Sequence, residues 1–124
     1  MAVATLTLAM ASVIHFGNTV ALGIATIHDP FSGAALPEAI IAGVIAAGVL
    51  SVVARRTAPT WWVALTTSLF ALAGVILGLV IFLRGSVPRP GDVVDHLSIL
   101  VELLVTVGLI LMPATRQAFG RLRD

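Results

Sequence analysis

Few residues of this chain could do chemistry, and the first of them sits where a charge is costly. Glu102 lies ten residues into an apolar run that begins at Asp92. That is about 15 Å along a helix, the middle of a hydrocarbon layer ~30 Å thick. His15 lies in a second apolar run, 12 residues before its end at Ile27, roughly 18 Å from the same surface. A carboxylate facing acyl chains at mid-depth costs at least ~2.5 kcal/mol. Glu102 is therefore expected to turn inward and pair, or to take up a proton. Asp95, Ser98, Glu102 and Thr106 recur at intervals of three, four and four, which stack on one helix face. Ser12, His15, Thr19 and Thr26 form a similar stripe on the first run, with Asn18 beside it. A His15–Glu102 hydrogen bond is the expected pairing. It would either fix helix register or carry a proton or cation.

A second cluster belongs to the outer ends of the same runs. His28-Asp29 closes the first and Asp95-His96 opens the last. Two imidazoles and their carboxylates are the donors a divalent cation takes, although acids in a first turn are also what the helix dipole favours. Haem ligation by two histidines does not fit, because His15 is central while His96 is about one turn below the surface. Capping accounts for the acids without a metal, so no cofactor is expected. No glycine-rich phosphate loop, HExxH or GxSxG pattern occurs, and these are the motifs that mark nucleotide, zinc-hydrolase and serine-hydrolase sites. With zero cysteines, thiolate catalysis and thiolate metal sites are excluded as well. A non-enzymatic protein is the expectation.

These residues must be positioned by membrane helices. The chain is 59% hydrophobic and 10% charged over 124 residues, against roughly 25% charged in soluble domains. Mean hydropathy is +1.11. Such a balance excludes a soluble enzyme domain, a disordered tail and a nucleic-acid-binding module. Four spans are expected at about 2–27, 38–54, 61–83 and 92–112, followed by a short tail at 113–124. His28-Asp29-Pro30, Arg55-Arg56 and Pro88-Arg89-Pro90-Gly91 punctuate them, and proline and charge are what end helices in lipid. The fold class is thus an all-α integral membrane protein, a single domain over residues 1–124. Short connections make it a four-transmembrane-helix, up-and-down antiparallel bundle. The first run has no Lys or Arg before it, so it reads as a retained span rather than a signal peptide. The absence of lysine is a GC-rich coding bias, and the layout is similar to that of small four-span proteins of GC-rich bacteria.

Orientation follows from the arginines. Arg55, Arg56, Arg116, Arg121 and Arg123 fall on one side, and Arg84 and Arg89 on the other. Five against two places both termini in the cytoplasm of a multi-pass cell-membrane protein. Trp61 and Trp62 follow the cytoplasmic turn, where an aromatic belt anchors a helix. Small residues mark the expected contact faces, since helices in lipid associate by close approach. These are Gly17, Ala21 and Ala25 on the first span, and Ala39, Gly43, Ala47 and Ser51 on the second. Gly74 and Gly78 mark the third, either for packing within the chain or for a second copy. The expected function is that of an accessory subunit of a larger membrane complex or a homo-oligomer, working through helix contacts. The alternative is a minimal proton- or ion-coupled transporter or channel built on Glu102 and His15. The lipid bilayer is the expected partner, and nucleic acid is not.

Overall fold

The computed structural model describes residues 1, 2, 6, 7, 9–11, 35–85 and 90–120. Ser12, His15, Gly17, Asn18, Thr19, Ala21, Thr26, His28 and Asp29 lie outside the described residues, as does the side chain of Asp95. Among the described residues, 2, 6, 7 and 9–11 are helical, and four helices follow from residue 35 onward: α1 Ala35–Ala54, α2 Ala58–Gly85, α3 Pro90–Leu111 and α4 Pro113–Gly120. Among the described residues, all regular structure is helical. By length and composition Pro37–Ala54 and Ala58–Ile81 can each cross a bilayer. His96–Leu111 and Pro113–Gly120, bent by 58°, add a third if the pair is one broken span. The protein is therefore an all-helical, multi-pass membrane protein. Leu50, Leu69, Ile76, Val101, Leu104 and Leu109 are exposed, a surface that only acyl chains would solvate.

The junctions have local causes. Thr57 caps α2: its N–H donates to Thr60 Oγ1 at 2.9 Å, and its carbonyl accepts the Trp61 N–H at 3.0 Å. Thr60 takes the place that Glu or Gln fills in a capping box. Its own hydroxyl donates to the Arg55 carbonyl at 2.7 Å, closing the turn. The connection therefore shrinks to 55–57, and α2 starts three residues before the expected Trp61. At the other junction, Pro113 has no N–H to continue the ladder. The Met112 N–H donates to Leu109 O at 3.4 Å, and a new helix begins with Arg116 N–H donating to Met112 O at 3.1 Å. The expected tail is thus helical through Gly120.

Two apolar clusters hold α1, α2 and α3 together. Ile41, Ala42, Ile45, Ala71, Val75, Ile99 and Leu103 form one. Trp61, Ala64, Leu65, Val107 and Ile110 form the other. α1 and α2 run antiparallel, and their closest approach is at Gly48. A Cβ there would strike Thr67 Oγ1 and sit 2.7 Å from Met1 Cε. Gly74 is the second close point, its would-be Cβ lying 2.7 Å from Ile41 Cδ1.

The expected contact row on α1 is corrected here. Ala39, Gly43 and Ala47 are exposed, and nothing lies within 4 Å of a Cβ placed on Gly43. The packed face is Glu38, Ile41, Ala42, Ile45 and Gly48. α1 is apolar on every side, so its hydrophobic pattern gives it no preferred face. Glu38 and the one glycine opposite Thr67 set its rotation instead.

Candidate functional site

The polar groups of the bundle collect along α3. Its buried face is His96, Ile99, Leu103, Thr106 and Ile110, at alternating intervals of three and four, the seam of a left-handed helix pair. His96 meets Glu38 from the first turn of α1, with Nε2 3.4 Å from Oε1. Both residues are buried, at 8% and 6% exposure. Two elements that begin at the same end of the bundle are thereby clipped together, and a histidine–carboxylate pair can share one proton.

Glu102 lies beside this seam and is half-buried. Its Oε1 accepts a long hydrogen bond from Thr7 Oγ1 at 3.5 Å. Its Oε2 is buried with no hydrogen-bond partner among the described residues. One turn on, Thr106 Oγ1 is 3.2 Å from the Met1 nitrogen. Met1 beside Thr106 and Thr7 beside Glu102 place these two residues in antiparallel order along α3. The Glu102 carboxylate thus lies beside Thr7. Its described contact is Thr7, and His15 lies outside the described residues.

The rest of the expected stripe separates. Thr106 is buried on the seam, but Ser98 is exposed and donates to its own backbone, Val94 O, at 2.9 Å. Ser51, Thr66, Thr67 and Ser68 do the same, to Gly48 O, Trp62 O, Val63 O and Ala64 O, each at 2.8 Å. Such back-bonding uses the donor of each of these five hydroxyls within its own helix. Of the expected metal donors, His96 is engaged by Glu38. Among the described residues no group of three or more His, Cys, Asp or Glu could hold an ion. Gly74 packs against Ile41, whereas Gly78 faces open space.

Two residues of the site were missed by sequence reasoning. Glu38 is not among the expected site residues and marks only the start of the expected span at 38–54. Its signal was that it is the one acid in an otherwise apolar helix, four residues from the start of α1, where a carboxylate seeks an inward partner. Thr7 gave no signal, because threonine is ordinary in membrane helices.

The opposite end is tied by Trp61. Its Nε1–H donates to Ile110 O at 2.9 Å, a carbonyl left over because the helix stops one residue later, at Leu111. The Arg116 guanidinium, from α4, sits 5.6 Å over the same ring, within cation–π range. No family model, curated protein or solved structure matches this chain.

Proposed function

We propose that this chain is a non-enzymatic cell-membrane protein that works through helix contacts, as an accessory subunit of a larger membrane complex or as a homo-oligomer. The observation that supports this reading is the disposal of its polar groups. Glu38 is tied to His96, Glu102 to Thr7, Thr106 to the Met1 nitrogen, and Ser51, Ser68 and Ser98 to carbonyls of their own helices. The outward surface is then apolar side chain that another helix or lipid must cover. The full arrangement in this proposal is a four-span up-and-down bundle with both termini cytoplasmic, supported by the five-to-two arginine split and the positive-inside rule. Mass measurement of the detergent-solubilised protein tests the function. A homo-oligomer or a stoichiometric second protein is the expected result, and a bare monomer at all concentrations would reject it. Reporter fusions should put residue 57 and the C-terminus inside, and residues 33 and 88 outside. An extracytoplasmic C-terminus would reject the topology.

One observation favours a second reading, a proton- or cation-coupled transporter. Glu102 keeps one carboxylate oxygen buried without a partner among the described residues, and intramembrane acids mark ion pathways. Under that reading Glu102→Gln abolishes pH-dependent flux in liposomes while the fold survives. Under the contact reading no such flux exists to lose.

A further inference from the structure

We propose that the groove between α1 and α2 is a binding site for one acyl chain of an anionic phospholipid, with Arg84 on its phosphate. The groove measures about 520 Å³ and is walled by Pro37, Ile40, Phe70, Gly74, Leu77 and Gly78. That volume falls within the ~300–1,000 Å³ of small-ligand clefts, and its walls are apolar. It exists because both α2 wall positions nearest α1 are glycines. Gly74 admits the tip of Ile41, which forms the floor, and Gly78 leaves the space above it empty.

Length and charge choose the occupant. From Phe70 to Ile81 the groove runs about 16 Å along α2, close to half of a ~30 Å hydrocarbon core. Deeper in, it is shut, because Gly48 and Thr67 are in contact there. The site is therefore blind at mid-membrane and one leaflet deep, which matches a lipid tail. A helix from a second copy would follow the span past that point. Arg84 is exposed and lies three residues beyond Ile81 and seven beyond Leu77, on the same face of α2. Among the described residues no carboxylate pairs with it, and Glu38, at the start of the facing helix, is turned to His96. A guanidinium at the mouth of an apolar slot suits a phosphate, which it can hold through two parallel hydrogen bonds.

Native mass spectrometry of the delipidated full chain in detergent tests this, using phosphatidylglycerol and phosphatidylcholine with identical tails. The expected result is one retained phosphatidylglycerol, bound several-fold more tightly than phosphatidylcholine. Arg84→Gln should remove that preference. Gly78→Leu fills the slot where nothing stands within 4 Å and should weaken both lipids by roughly tenfold, a 1.4 kcal/mol change. If Gly78→Leu fails to fold, Ala73→Leu on the same wall gives the same reading. Equal binding of the two lipids by the unaltered chain would overturn the headgroup assignment. Unchanged lipid binding in the groove variants would overturn the site. Loss of a dimer in Gly78→Leu, with bound lipid unaffected, would give the groove to a second copy instead.

Discussion

The two ends of α2 meet their neighbours in opposite ways. At the Trp61 end an indole N–H reaches across to Ile110 O, Arg116 stacks on the ring, and apolar side chains close around both. At the Ile81 end the facing helix is present, but Gly78 touches nothing and a groove remains. Hydrophobicity alone does not decide closure, for the open end, with Val75, Leu77, Leu79, Val80 and Ile81, is the more aliphatic of the two. In lipid an apolar face gains little by exchanging acyl chains for a neighbour. A contact closes where a small residue lets backbones approach, as at Gly48, or where a polar group finds a partner. Smallness without something to receive leaves a slot.

Substitutions can break or sharpen this contrast. The largest effect is expected at the closed point between the two ends. Gly48→Leu drives a side chain into Thr67 and should destabilise the protein by about 3 kcal/mol, the upper range of overpacking, in a reversible unfolding assay. Gly43→Leu, with open space around it, should shift the same assay by less than ~0.5 kcal/mol. Equal losses at the two glycines would mean that the exposed row is the packed one.

Next is the Glu38–His96 clip. His96→Leu removes the imidazole from beside a buried carboxylate and should cost roughly 2 kcal/mol. Glu38→Leu combined with His96→Leu should recover most of that loss, since an apolar pair needs no partner. A double variant no better than the single would show that the pair is not coupled. Smaller still, Trp61→Phe removes the indole donor and trims the buried ring. It should cost about 1 kcal/mol, the scale of interhelical hydrogen bonds in membranes, and hydrogen exchange should quicken at residues 108–112 before it does elsewhere. Arg116→Ala should cost about 0.5 kcal/mol, as exposed cation–π contacts do. If it equals Trp61→Phe, the guanidinium rather than the hydrogen bond holds the bend.

What the sequence made legible was where helices start and stop, because proline and charge are local signals. Expected spans at 38–54, 61–83 and 92–112 fall inside α1, α2 and α3 except at Met112. Which face packs was not legible on α1, where every face is apolar. On α3, of the expected stripe Asp95, Ser98, Glu102 and Thr106, Thr106 is buried, Glu102 is half-buried and Ser98 is exposed, while His96, expected as a metal donor, is buried against Glu38. Ser98 misled because a serine can satisfy itself on Val94 O, so its type alone carries no direction. The helical tail was signalled and passed over: Pro113 opens α4 and Gly120 closes it, the usual asymmetry of helix ends.

The Trp61 end also determines how the molecule looks to light. The chain has two tryptophans and no tyrosine, and both indoles sit in the first turns of α2. Trp61 is buried and hydrogen-bonded, while Trp62 is 57% exposed. Their ring centroids are 4.7 Å apart at 79°, close enough for their electronic transitions to couple. Emission and near-ultraviolet dichroism therefore come from a single corner of the protein. A ligand entering the groove at the other end of α2 should leave that spectrum unchanged, whereas straightening the bend at Met112 should alter it at once.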